Sequence, residues 1–190
     1  AVVKANYTFM VPNDGGVADD RVYALRDAGQ VLERARAMLG RAREIVLADL
    51  FPGPFDALAD DLVATAARGV RIIVKVYSRR DLPGVAEVPE PDAARSLAEW
   101  PGQRLSLVVD AEEHLVALFD ASLANVHQAV WSRSPFLSCV NHNHAAMELL
   151  HTAWRERGSL AGSDALIGIS LLSSRPPGLG RLRERTGGAG

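Results

Sequence analysis

Residues Val70 to Tyr77 read VRIIVKVY, a dense β-branched run broken only by Arg71 and Lys75, and this is the clearest strand in the chain. Immediately before it, Phe55, Leu58, Leu62 and Ala66 recur at helical spacing, with Pro54 placed to open that helix and Gly69 to stop it. One unit further upstream the pattern repeats. Val31, Ala35, Met38, Leu39 and Ala42 fall on one helical face, and Arg34, Arg36, Arg41 and Arg43 lie mainly on the other. The short apolar run EIVLADL (Glu44 to Leu50) follows as a strand and ends at Pro52-Gly53-Pro54. Two helix-then-strand units in succession imply parallel strands joined by right-handed crossovers.

Downstream the rhythm changes. Pro83, Gly84, Pro89 and Pro91 predict an irregular loop from Arg79 to Asp92, and a short helix is expected over Asp92 to Trp100. RLSLVV (Arg104 to Val109), LVALF (Leu115 to Phe119) and VHQAVW (Val126 to Trp131) read as short strands with tight links, Asp110 to Glu113 forming a hairpin turn. A last helix is expected from about Val140 to Arg155, with Ala146, Leu149, Leu150 and Ala153 inward. The fold class is therefore α/β, a single domain with a mixed sheet and flanking helices. Residues 1–20 read as an irregular linker, 21–158 as the folded domain, and 159–190 as a C-terminal extension with a flexible Arg- and Gly-rich end.

Composition narrows the function classes. With 190 residues, 48% hydrophobic and 23% charged, the chain is an ordinary globular one. No apolar run approaches the roughly 20 residues that span a bilayer. The net charge of -2 gives no global drive toward nucleic acid. The lone Cys139 excludes an internal disulfide and suits a reducing, cytoplasmic setting. The start, Ala1-Val2-Val3-Lys4, has neither an initiator Met nor a signal-peptide pattern, and is expected to be a cut within a longer polypeptide.

Four chemical groupings stand out. Cys139 has His142 and His144 nearby in sequence, but a lone Cys entering an apolar helix is more often a small buried residue. His144, Glu148 and His151 share a helix face and could hold a metal, yet the first and last lie about 10 Å apart along the axis, and a solvated polar face is favoured. Asp49, Asp110 and Asp120 sit near strand ends as ligand acceptors or as turn formers. Finally Tyr77, Arg79, Trp131 and Arg133 end predicted strands; if those ends share a rim, flat faces lie beside forked donors, which suits a polyhydroxylated or anionic small molecule. With Asp49 as acceptor, Asp49, Tyr77, Arg79, Trp131 and Arg133 are the candidate ligand-binding residues. Neither a cofactor nor a metal site is expected.

Taken in order from about Tyr23 to Trp154, these segments resemble the effector-binding domain of the TrmB family of transcriptional regulators. The matching pieces are Val31 to Leu50, Arg68-Gly69-Val70-Arg71-Ile72, and Ala129-Val130-Trp131-Ser132-Arg133-Ser134-Pro135. The resemblance implies a phospholipase D-like fold that senses sugars and alters DNA binding through an attached winged helix-turn-helix, a domain absent from this chain. The phospholipase D motif, His-x-Lys-x4-Asp, is not kept. With Asp110 as its aspartate, Gln103 stands at the histidine position, Leu105 at the lysine position, and Ala117-Leu118 where Gly-Ser should follow. His114 and His127 have Val116 and Ala129 two residues on, not Lys. Glutamine cannot form a phosphohistidine, and leucine cannot neutralise a phosphoryl oxygen. The expectation is a non-catalytic sensor of a sugar or sugar phosphate in a cytoplasmic regulator, working as a homodimer without membrane contact. The rivals are a divergent phosphodiesterase and a ligand-free dimerisation module.

Overall fold

Strand β1 (Val22–Ala24) leads into Asp27, whose carboxylate accepts the Gln30 amide at 3.0 Å and caps helix α1 (Ala28–Arg41). Val31, Ala35, Met38 and Leu39 on its inner face are buried. Strand β2 (Ile45–Leu50) follows, then helix α2 (Pro52–Ala67), with prolines in its first turn. Gly69, at φ +87°, turns the chain out of α2 into strand β3 (Arg71–Val76). Strand β4 (Val85–Pro89), helix α3 (Ala93–Glu99), and strands β5 (Gln103–Val109), β6 (Glu113–Phe119) and β7 (Val126–Ser132) come next. Ser134 caps the 23-residue helix α4 (Pro135–Arg157), and Gly158 closes it in the left-handed region. Helix α5 (Leu179–Thr186) packs against α4, and its Arg181 pairs with Glu112 of the β5–β6 turn at 2.9 Å. The computed structural model describes residues 20–158 and 176–186.

The seven strands form one mixed sheet in the order β1-β7-β6-β5-β2-β3-β4. β2, β3 and β4 run parallel; every other pairing is antiparallel. Side-chain parity divides the core. Val46, Ala48 and Leu50 of β2, Val74 and Val76 of β3, and Leu105 and Leu107 of β5 face α1 and α2. Ile45, Leu47 and Ile73 face α4, meeting Ala146, Leu149 and Ala153. None of the helices among the described residues is long and apolar enough to cross a membrane.

Both helix-strand units and the three short strands form where the sequence pattern puts them. Four elements differ. The stretch expected as irregular between Arg79 and Asp92 contains β4: as an edge strand it tolerates Pro89 at its end, and Glu87 ties the preceding loop by accepting the amides of Arg80 and Leu82, each at 2.9 Å. β1 is a three-residue edge strand too short to carry a pattern. α4 begins at Pro135, a proline being well suited to a first turn. The C-terminal end, expected to be flexible, includes α5. Residues 1–19, most of the expected linker, and the apolar run 165–172 lie outside the described residues.

Two of the strand-end aspartates are structural. Asp110 is buried, and its carboxylate accepts the amides of Arg43, Glu44 and Ile45, each at 2.9 Å, fixing the turn into β2. Asp120 accepts from Asn125, Ser122 and the Ala124 amide, and these donors, Asn125 foremost, hold its carboxyl down at about 2. Near Asp110, α4 buries Cys139 and His142. The thiol reaches the Ala111 carbonyl at 3.7 Å and burial pushes its pKa up, so it is a packed neutral group. His142 is wholly buried with neither ring nitrogen partnered, and burial lowers its pKa to about 4 against the pull of Asp110.

A pH dependence follows from His142. The unfolded side chain takes up a proton near 6.5 and the folded one near 4, so the unfolded state binds more protons in between. Stability should therefore fall as pH drops from 6.5 toward 4, by up to about 1.4 kcal/mol per unit from this residue. His142→Leu should flatten the loss in urea titrations at a series of pH values; an unaltered slope would refute it.

Candidate functional site

The α4-facing side of the sheet changes character along its strands. β2 presents Ile45, Leu47 and then Asp49; β3 presents Ile73 and then Lys75, with Tyr77 beyond its end. Register sets Asp49 beside Lys75 on one side and Ser106 of β5 on the other. The next residue of that parity on β5 is Arg104. Polar groups thus gather where β2 and β3 end and β5 begins.

Lys75 is the centre of this group. Its side chain is only 7% exposed, and its Nζ lies 3.0 Å from Glu90 Oε2, 3.2 Å from Glu148 Oε1 and 4.0 Å from Asp49 Oδ2. Burial would lower the Lys75 pKa, but Asp49 with Tyr77, Glu90 and Glu148 carries it above its ordinary value, so the ammonium stays charged. Asp49 receives the Arg104 guanidinium at Oδ2 and the Tyr77 hydroxyl at Oδ1, 3.1 Å away. Burial raises the Asp49 carboxyl while Arg104 and Lys75 draw it back. Burial, with Asp49 beside it, also raises the Tyr77 phenol, which stays a neutral donor. For Glu90, burial acts upward, but hydrogen bonds from Lys75 and the Asp92 amide and the charges of Lys75 and Arg155 hold it below the usual range. Arg155 closes the network, reaching Glu90 at 2.9 Å and pairing with Asp92.

Beside this network a cavity of about 440 Å³ opens between sheet and helix. Its floor is Asp49, Lys75, Arg104 and Ser106, continued by Val116 and Leu118 of β6 and Gln128 and Val130 of β7. Its other wall is α4, through Asn141, His144, Ala145 and Glu148. Trp100 stands at the mouth, 42% exposed, with the Arg104 guanidinium 4.5 Å from its ring centroid. Behind it Phe51 packs edge-on to Tyr77 at 4.4 Å. Nε of Arg104 is buried without a hydrogen-bond partner.

Of the five candidate ligand-binding residues, the structure brings two together. Asp49 lines the cavity, and Tyr77 touches Asp49 and Arg104. Arg79 is exposed beyond the strand end, pairing with Glu156 at 3.3 Å. Trp131 and Arg133 lie at the opposite edge of the sheet. β7 runs antiparallel to β6, β6 to β5 and β5 to β2, so the end of β7 is far from the ends of β2 and β3. The shared rim assumed for all five does not exist. Trp131 is buried on the α1 face, donating to Glu113 at 2.6 Å beneath Arg34. Lys75, Arg104, Gln128, Asn141 and Trp100 are not among the candidates the sequence offers. A Lys inside an otherwise apolar strand was the visible signal. Glu148, read as solvated, is held by Lys75, while His151 on the same helix is exposed.

Gln103 and Leu105, the residues set against the phospholipase D motif in the sequence, make structural contacts. Leu105 is fully buried among the α1- and α2-facing residues. Gln103 accepts the Gly53 amide at 3.0 Å through Oε1.

No family model matches the chain, and no curated protein matches it at a significant level. Solved structures do. NucT from Helicobacter pylori is similar at a TM-score of 0.54 and 9% identity, over 70% of this chain and 96% of its own. TrmBL2, an archaeal chromatin protein with a novel mode of DNA binding, is similar at a TM-score of 0.50 and 16% identity, over 67% of this chain. This chain spans about half of TrmBL2, 52%. Nuc, a phospholipase D family member from Salmonella typhimurium, gives a TM-score of 0.49 at 11% identity. At these identities the likeness is one of fold. The expected single α/β domain with a mixed sheet and flanking helices is what the structure shows.

Removing Lys75 tests the network. Lys75→Met leaves Glu90 and Asp49 short of a buried cation and should cost about 3–5 kcal/mol in urea unfolding. Adding Glu90→Gln should return at least about 1 kcal/mol of that loss. Purely additive losses would show that the pair does not act as a unit.

Proposed function

We propose that this chain is the small-molecule-binding domain of a transcriptional regulator, that it is not a catalyst, and that its ligand is a neutral or weakly anionic sugar-type compound held in the cavity beside Lys75. The observation that carries this reading is the cavity itself. At about 440 Å³ it exceeds the roughly 300 Å³ at which ligand pockets begin, which speaks against a packed dimerisation module. Its cations are spoken for: Lys75, Arg104 and Arg155 are matched by Asp49, Glu90 and Glu148 within the chain. A strongly anionic ligand would have to break one of those pairs. A polyhydroxylated ring need not. It can lay an apolar face on Trp100 and exchange hydrogen bonds with Asn141, His144, Gln128 and Ser106, each of them donor and acceptor.

The non-catalytic part rests on Gln103 and Leu105, whose side chains make structural contacts and lack phosphoryl-transfer chemistry. The regulatory part is supported by the fold shared with TrmBL2, described as a DNA-binding chromatin protein, of which this chain spans about half. In this reading DNA is bound by a part of the protein other than the domain described. Ligand filling the cavity would press on α4, whose Asn141, His144 and Glu148 form one wall, and the helix would carry the signal outward.

A thermal-shift screen against sugars, sugar phosphates and unrelated metabolites tests the proposal. A ligand at 100 times its dissociation constant should stabilise the domain by about 2.7 kcal/mol. Trp100→Ala and Asn141→Ala should each weaken the hit at least tenfold in calorimetry while Trp131→Ala leaves it within twofold. A blank across the panel, a hit indifferent to Trp100 and Asn141, or turnover of a generic phosphodiester by the purified chain would overturn it.

A further inference from the structure

We infer that the outer face of α4 is a self-association seam, and that what covers it is the α4 of a second copy of this chain. Phe136, Val140, Met147 and Trp154 are 59%, 51%, 59% and 58% exposed. They are four of the six large hydrophobic residues exposed among the described residues. At about 100° per residue they all fall within an arc of about 40° on one helix. The fold does not need them there. α4 already has its inner face, Ala146, Leu149 and Ala153, against the sheet.

Their spacing identifies the kind of partner. Val140, Met147 and Trp154 recur every seven residues, with Leu150 half-buried alongside and Asn143 exposed between. A seven-residue repeat keeps one stripe facing a second helix along its whole length, and a single polar Asn within such a stripe fixes register in helix pairs. From Phe136 to Trp154 the stripe runs about 27 Å along the helix. The occupant is therefore a long helix.

Charge and area select a second copy. The stripe carries no formal charge. The charged residues near it are matched within the chain, Glu148 to Lys75 and Arg155 to Glu90 and Asp92. No charge pattern remains to select a different protein. An identical stripe meets every requirement: apolar against apolar, amide against amide, about a two-fold axis. Aromatic and long apolar side chains more than half exposed present roughly 100 Å² each, so two copies would cover on the order of 800 Å² from these side chains alone. Flanking residues bring this to the roughly 1,000 Å² at which a specific interface begins. The seam is independent of the cavity, and its failure would leave the ligand reading untouched.

Sedimentation equilibrium of the full chain tests this inference at about 100 μM, well above a micromolar dissociation constant. The expected result is a dimer. Val140→Glu with Met147→Glu should raise the dissociation constant at least a hundredfold while circular dichroism and the melting temperature stay near wild type, because both sites are exposed. Val140→Arg with Met147→Arg should do the same, and mixing the acidic and basic variants should restore a dimer of one of each. A wild-type monomer at that concentration, an acidic variant that remains dimeric, or a mixture that stays monomeric would overturn it.

Discussion

A lysine ammonium held at 7% side-chain exposure near the end of β3, the strand next to the sheet's β4 edge, sets the terms for everything around it. A charge so placed is tolerable only when neutralised and hydrogen-bonded. Its carboxylates arrive from three places: Asp49 from β2, Glu90 from beyond β4, and Glu148 from α4. Each attachment fixes an element that apolar packing leaves loosely specified. Glu90 draws the proline-bounded edge strand onto the sheet. Glu148 ties α4 to β3 beside the apolar contacts of Ala146, Leu149 and Ala153. Apolar residues of similar volume would hold such a sheet equally well. What the charged centre adds is a polar floor at one end of the sheet.

That floor stays open because α4 is committed elsewhere. Ile45, Leu47, Ile73 and Val88 draw it over β2, β3 and β4, so the α4-facing side of β5, β6 and β7 is only partly roofed. Asn141, His144 and Glu148 overhang the gap, and Phe136, Val140, Met147 and Trp154 point away from it. One helix is thus the wall of the cavity on one side and a bare apolar stripe on the other. A rotation of α4 would move both faces together, since they belong to one helix.

Much of the fold is legible in the sequence because it rests on parity and period. VRIIVKVY and EIVLADL give β3 and β2, and the helix patterns ahead of them give the crossovers. β4 is not legible: Pro83, Gly84, Pro89 and Pro91 hide an edge strand that needs few ladder hydrogen bonds. The site is half legible. Asp49 and Tyr77 were found as strand ends, and they do meet. Trp131 and Arg133 were grouped with them on the premise of parallel strands. The direction of β7 depends on the two chain reversals before it, which set it antiparallel to β6 and its end away from those of β2 and β3. Glu148 could not be told from a solvated residue by helical phase alone, because its partner Lys75 lies 73 residues away in the chain.

Strand β5 shows how one segment serves two faces. Gln103, Leu105 and Leu107 have one parity, and Arg104, Ser106 and Val108 the other. Leu105 and Leu107 lie in the core beneath α1 and α2. Gln103, on that side, satisfies the Gly53 amide, one of the first-turn donors of α2 that no helical carbonyl can reach. A Cβ at Gly53 would stand 2.2 Å from Leu123 Cδ1, so a side chain there would have to push the tip of Leu123 aside. A histidine and lysine at positions 103 and 105 would therefore be directed at the packed side of the sheet in this chain, away from the cavity. The groups that do reach the cavity, Arg104 and Ser106, come from the alternate positions. Reactive groups at 103 and 105 would find no cavity beside them, whereas Arg104 and Ser106 line it.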